Sequence, residues 1–398
     1  MAGVAVALLA WYPGRWLAVL ILLPAIWSTT CRRWSALSLW AGYYLTGARD
    51  IPVVCERFFA GYGDLSASTA FALGVVFWLG QALALAAPWA FLTPRAAEAP
   101  RAARALLAIM LVSLPPLGTI GWLSPIYVAG ALYPGWQLAG LLLGMCMLAT
   151  AARIRQSRAA LRVGALLIGA AVVAHLDGHR PELPSGWIAV DTSLGRLDQR
   201  DYETLHARFV ATMQTAQWGF ESGAGVVVFP EELVGVWRPA MRYWWRDYLQ
   251  QLAMSNRTLI LGVDLEEEGS ISGRPISGEP FLRYTDSAVI VGAGYGRFDS
   301  RQPVPVGLWR PWASVSATRG SLMQSYLKIA GRRAAFSICY EDFLWWPHWR
   351  LLIDRPDLLV SMSNSWFNAD LSLAHIQQQS VYSIAQLTGL PLLRAVNR

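Results

Sequence analysis

The sequence predicts a multi-pass α-helical membrane region followed by an α/β domain, and three observations carry that prediction. Of the 398 residues, 55% are hydrophobic and 15% charged, an unusual balance for a chain bathed in water throughout. The apolar residues crowd the first part, where the only acids before Leu176 are Asp50, Glu56, Asp64 and Glu98. Beyond that point short apolar runs alternate with mixed helical stretches, the pattern of a sheet covered by helices.

A membrane helix takes about 20 apolar residues. Sustained runs of that kind lie at 69–92, 104–124 and 126–150, with shorter ones at 162–176 and from Trp34 to Thr46. The opening run breaks at Tyr12-Pro13-Gly14, a turn-forming cluster, which suggests a truncated helix over 2–11 and another over about 15–29. Residues 1–177 are thus expected to hold about six or seven membrane helices. Arg32 and Arg33, then Arg95, Arg101 and Arg104, then Arg153, Arg155 and Arg158 alternate with gaps poorer in arginine. Positive loops face the cytoplasm, so this count delivers the C-terminal domain to the periplasmic face of a bacterial inner membrane.

Residues 178–186, rich in proline and charge, read as a linker, and 187–398 as the α/β domain. Strands are expected at 187–191, 225–229, 258–263, 286–291, 334–338 and 357–362, and helices at 200–219, 239–255 and 371–388, where apolar residues recur every three to four positions. Near-continuous apolar strands point to a sheet buried on both faces.

The net charge of +7 is almost all arginine, Lys328 being the single lysine. Because the N-terminal arginines sit between apolar runs, the charge reads as loop topology, and no nucleic-acid partner is expected. Cys31, Cys55 and Cys146 fall in or beside the apolar half and Cys339 alone in the other, which gives no disulfide framework. His175 and His179 have no nearby third ligand and no HExxH or CxxC pair occurs, so neither metal nor cofactor is expected.

Three strand-end clusters could carry chemistry. Cys339 closes the apolar run before Tyr340, Glu341 and Asp342, a position where α/β folds expose functional side chains; the competing reading is a buried small hydrophobe. Glu231 and Glu232 follow GVVVFP and could supply the base that a thiol needs to become a thiolate, or could form a solvated turn. SNSWFN at 363–368 follows the run DLLVSM and sets Asn364 and Trp366 where they could line a pocket. The tryptophans between Trp237 and Trp349 are core or interfacial anchors for the most part; Trp309 and Trp345 are the two expected to meet substrate.

Taken together, FPEE at 229–232, SICYED at 337–342, and SNSWF followed by PLLRAVN at 391–397 resemble the nitrilase superfamily, specifically its membrane-bound apolipoprotein N-acyltransferase branch. RFDSRQPVPVGLWRPW and the lysine-poor composition look closer to the TraB group of plasmid conjugal-transfer proteins. The resemblance spans 185–398 and implies a four-layer αββα sandwich, with Cys339 as the acylated nucleophile, Glu231 as the proton acceptor and Glu341 as a supporting acid. The lysine that steadies the oxyanion in that family does not match: the stretch reads Ser300 to Leu308 without one. Arg301 is the candidate cation there, although its planar fork is not interchangeable with an ammonium. Lys328, on the hairpin partner of the Cys339 strand, has no motif behind it. The family also continues past Arg398 with further strands and a last membrane helix.

The leading reading is a thiol-dependent amidase or N-acyltransferase acting through a Cys339 acyl intermediate, with phospholipid or another acyl donor, an unidentified amine acceptor, membrane lipid and conjugation-system proteins as partners. Its alternative is a catalytically degenerate, membrane-anchored interaction module of a conjugation system.

Overall fold

The computed structural model describes residues 1–62, 65–93, 100–154, 157–177, 181–197, 201–267 and 282–398. Twelve helices are described: α1 (Ala2–Ala10), α2 (Leu22–Trp27), α3 (Arg33–Gly47), α4 (Ile51–Gly61), α5 (Ala67–Phe91), α6 (Arg101–Ser113), α7 (Val128–Leu132), α8 (Gln137–Ala151), α9 (Arg158–Leu176), α10 (Tyr202–Glu221), α11 (Pro239–Met254) and α12 (Ser372–Thr388). The strands are β1 (Trp187–Ala189), β2 (Val226–Val228), β3 (Thr258–Glu266), β4 (Leu282–Gly292), β5 (Gly296–Asp299), β6 (Val315–Ala317), β7 (Leu327–Ile329), β8 (Arg332–Ile338), β9 (Leu358–Asn364) and β10 (Leu392–Asn397). They divide into two compact units. One holds Met1–Pro181, Phe343–Arg355 and Asp370–Leu390; the other holds Glu182–Asp342, Pro356–Ala369 and Pro391–Arg398. The expected linker at 178–186 lies partly outside the described residues, as do Arg95 and Arg155.

The helical unit corrects the expected multi-pass membrane region. Among the described residues only α5 and α9 are long and apolar enough to cross a membrane. The run at 104–124 is cut where α6 ends at Ser113, ahead of Pro115 and Pro116, because proline donates no N–H and its ring blocks the preceding turn. The run at 126–150 is cut between α7 and α8, where Gly135 takes φ 78° after Pro134. The run at 15–29 becomes a 3₁₀ turn, Leu17–Ile21, and the short α2. Part of the apolar surface is spent on an aromatic core, while side chains such as Leu73, Val76, Leu166 and Ile168 stay exposed. Trp40 stacks on Trp89 at 3.7 Å, Trp11 Nε1 donates to Tyr43 Oη at 2.9 Å, and Trp27 Nε1 donates to Trp89 O at 3.0 Å. Such bonds, one to a hydroxyl and one to backbone, let Trp11 and Trp27 be buried without stranding their polar atoms. α12, foreseen at 371–388, packs in this unit: Ser383 Oγ donates to Tyr127 O at 2.8 Å, and Gln379 Nε2 to Ala10 O at 2.7 Å.

In the other unit β1, β2 and β3 run parallel, β4 and β5 continue antiparallel, and β6 pairs with β4; a second sheet has the order β10-β9-β8-β7. All six expected strands form. β5, β6, β7 and β10 had no strand expectation, and three of them hold only three or four residues, too few for a two-residue period to register. Val226, Val228, Ile260 and Ile290 of the first sheet pack with Phe336, Ile338, Val360 and Met362 of the second. On the opposite face of the first sheet, Val227, Leu259 and Leu261 pack with Phe209 and Phe220 of α10 and Trp245 and Leu252 of α11. The near-continuous apolar strands are explained by this double coverage.

Candidate active site

The parallel strands β2, β8, β9 and β10 deliver their C-terminal residues to one cluster. β2 leads through Phe229 and Pro230 to Glu231, β8 ends before Cys339, and β9 and β10 finish on Asn364 and Asn397. Loops leaving such strand ends are free to vary without disturbing the ladder, which is why chemistry accumulates there.

Cys339 begins a 3₁₀ turn, Cys339–Phe343, at φ 46°. A left-handed backbone at a residue with a Cβ costs about 1–3 kcal/mol and persists only where the surroundings impose it. Its thiol is hydrogen-bonded to the Glu231 carboxyl, and the Asn364 backbone also bonds it. Glu231 is 3% exposed and its Oε2 accepts from Asn364 N at 2.9 Å. Burial pushes the Glu231 carboxyl up to about 8, against the pull of its hydrogen bonds to Cys339, Asp286 and Asn364. The Cys339 thiol is raised well above its ordinary value, by burial first and then by the Glu231 charge.

Glu231 sits against a glycine. A Cβ built on Gly262 of β3 would fall onto Pro230 O and Glu231 Cα, and 2.8 Å from the Glu231 carbonyl carbon, all backbone. Gly262→Ala is therefore expected to displace the Glu231 turn. We expect a loss of about 1–3 kcal/mol in urea unfolding, with Cys339 alkylation by iodoacetamide altered in the folded fraction; unchanged stability and reactivity would show that the turn can move aside.

Arg301 and Glu341 meet in a fork. Arg301 Nη2 lies 2.6 Å from Glu341 Oε2 and Nε 3.1 Å from Oε1, while Nη2 also donates to Phe336 O at 2.8 Å. Glu341, fully buried, further accepts from the backbone N–H groups of Arg301, Gln302 and Ile338. The Arg301 guanidinium lies 5.1 Å from the Phe298 ring centroid. The cation that sequence reasoning offered to an oxyanion is thus engaged with Glu341.

Asn364 is placed at the cluster, but as a strut. Its Nδ2 donates to Glu232 Oε2 at 3.1 Å, and its Oδ1 accepts from Asn397 Nδ2 at 2.9 Å. Asn397 is anchored in turn by Thr192 Oγ1 at 2.8 Å and Gly195 O at 2.9 Å. Trp309 lies under the Arg319 guanidinium at 3.7 Å, and Trp366 meets Phe367 edge-on. Trp345 belongs to the helical unit, where it packs near Tyr127. Trp237 and Trp245 lie in the α11 core, whereas Trp312 is exposed. Lys328 is exposed on β7 opposite Arg333.

Two acids of the cluster had no role assigned from the sequence: Asp286 was passed over, and Asp342 was noted only as a neighbour of Cys339. Asp286, on β4 and 2% exposed, hydrogen-bonds to Glu231; an acid opening the apolar run DSAVIV was the available signal. Asp342 accepts from Ser337 Oγ at 2.6 Å and Ser361 Oγ at 2.9 Å, and burial pushes it up to about 7. It ties the Cys339 turn to β8 and β9.

Two facing sheets, with an acid and a cysteine bonded across their strand ends, define a nitrilase-like α/β fold. The homologues found for the chain carry TraB and apolipoprotein N-acyltransferase names. The conjugal transfer protein TraB of Agrobacterium fabrum is 29% identical over 95% of this chain and 86% of its own. The probable conjugal transfer protein TraB of Sinorhizobium fredii is 28% identical over 96% and 92%. An apolipoprotein N-acyltransferase of Azotobacter vinelandii is 28% identical over 56% of this chain and 44% of its own. No family model matches. Among solved structures, an amidase from Nesterenkonia sp. AN1 aligns with a TM-score of 0.36 and 15% identity over 53% of this chain and 78% of its own, too loose an overlap to carry an argument.

Proposed function

We propose that the chain is a thiol-dependent N-acyltransferase or amidase serving plasmid conjugal transfer, with Cys339 as nucleophile and Glu231 as its proton acceptor. The observation that carries this reading is the hydrogen bond between the Cys339 thiol and the Glu231 carboxyl. Glu231 takes the thiol proton, and the thiolate adds to the acyl carbonyl carbon. Backbone N–H groups at the strand ends stabilise the oxyanion. The bond to the donor's leaving group breaks as that group takes the proton from Glu231, leaving an acyl thioester. An amine then attacks, passes its proton to Glu231, and leaves as the amide while the thiol is regenerated. Arg301 enters this scheme by clamping Glu341, two residues beyond the nucleophile.

N-acyl transfer is the activity in the acyltransferase relatives' names, and a phospholipid suits the donor role because α5 and α9 are long, apolar and mostly unburied. These two helices would seat the protein at the bacterial inner membrane, with the α/β unit on the periplasmic side. The engagement of Arg301 by Glu341 favours a second reading, a catalytically degenerate interaction module.

Mass spectrometry of the detergent-extracted protein after incubation with phospholipid separates the two. An acyl adduct on wild type, lost in Cys339→Ala and diminished in Arg301→Ala, is the expected result. A folded, full-length wild type that stays unmodified would sink the enzyme and leave the interaction module.

A further inference from the structure

We propose that Asp286 is a positioning residue for Glu231: the two carboxyls hold one proton between them, so that the pair, and not Glu231 alone, receives the proton of Cys339. This rests on the Cys339–Glu231 reading and deepens it. Asp286 is 2% exposed, its side chain is hydrogen-bonded to Glu231, and its Oδ1 is buried without a hydrogen-bond partner. An ionised carboxylate would leave a charged oxygen stranded there. A neutral acid donating its O–H to Glu231 strands only a carbonyl-like oxygen, which costs far less.

The surroundings point the same way. Glu231 and Glu232 face Asp286 from the turn after β2, and Glu341 from the turn after β8. Cys339 lies within electrostatic reach, Asp264 stands opposite in register on β3, and Tyr284 is two residues away on its own strand. The nearby cation Arg301 is paired with Glu341. Two buried carboxyls in contact cannot both ionise, and their protons leave in steps that belong to the pair.

In the active state, reached as pH rises through about 8, Asp286 donates a hydrogen bond to the Glu231 carboxylate, which accepts from the thiol. When the S–H bond breaks and the Glu231 O–H forms, both acids become neutral and the negative charge passes to sulfur. The proton later leaves Glu231 with the departing group. Asp286 keeps its own proton throughout and never touches the substrate.

Cys339 alkylation by iodoacetamide against pH tests this on the full-length protein, with the Cys339 peptide followed by mass spectrometry and folding by thermal melting. Asp286→Asn keeps the donor and cannot ionise. We expect its alkylation midpoint to fall by about one pH unit, a tenfold gain near pH 8, with the wild type's broad, two-step profile becoming a single step. Asp286→Leu, which removes the donor, should not reproduce that profile. A wild-type profile in Asp286→Asn, or the same shift in both variants, would overturn the proposal. If Asp286→Asn does not fold, Asp286→Ser carries the same expectation through its hydroxyl; loss of fold in both would make Asp286 a structural residue only and overturn it as well. No acyl donor is needed, so a shifted profile without an acyl adduct would sink the enzyme reading and leave the acid pair standing.

Discussion

Replacing Glu231 with glutamine is expected to lower the rate of Cys339 acylation by about 10²- to 10⁴-fold, the range a positioned proton acceptor contributes. The amide keeps the shape and an oxygen for Asn364 N, but takes no proton from the thiol. In the wild type the acid must be ionised to act, and burial pushes it up to about 8, so acylation should climb as pH rises through that value. The same displacement couples to stability. A carboxyl that ionises near 8 when folded and near 4 when unfolded retains its proton in the native state while the unfolded chain loses it. Its contribution is fully present below about pH 4 and is lost as pH rises through about 8, on the order of a few kcal/mol. Urea midpoints measured from pH 5 to 9 should therefore fall more steeply for wild type than for Glu231→Gln. Parallel curves would mean that Glu231 is ionised in the native protein well below that range.

Glu341→Ala is expected to cost about 3–5 kcal/mol, the penalty of leaving a buried charge without its partner. The carboxylate holds both arms of Arg301 and three backbone N–H groups, from Arg301, Gln302 and Ile338. Removing it strands those donors together with the guanidinium. Arg301→Lys should recover little, because an ammonium cannot reproduce the fork, whereas the joint replacement Arg301→Met with Glu341→Leu should cost less than Glu341→Ala alone. Chemical unfolding of the three variants decides it. A Glu341→Ala variant within about 1 kcal/mol of wild type would show that water enters and satisfies the fork.

Three of the residues that meet at the strand ends were legible because each ends an apolar run with a polar side chain: Glu231 after GVVVFP, Cys339 after AAFSI and Asn364 after DLLVSM. Asp286 was not, because it opens the apolar run at 286–291 and reads as the polar residue that bounds it, although it lies inside β4. Asn397 was hidden because its role is a bond to Asn364, 33 residues away.

The sequence by itself determined the α/β unit, whose buried strands demand runs of Val, Ile and Leu, and the residue types at their ends, because backbone pairing and burial are written in local pattern. It could not decide where the apolar surface of the first part would go. Hydropathy counts Trp40, Tyr43, Tyr44 and Trp89 alike whether they meet lipid or one another, and only the tertiary structure shows them buried together. It likewise could not decide what Arg301 would touch. A guanidinium goes to the carboxylate that folding brings within reach, and that partner, Glu341, stands 40 residues further along the chain.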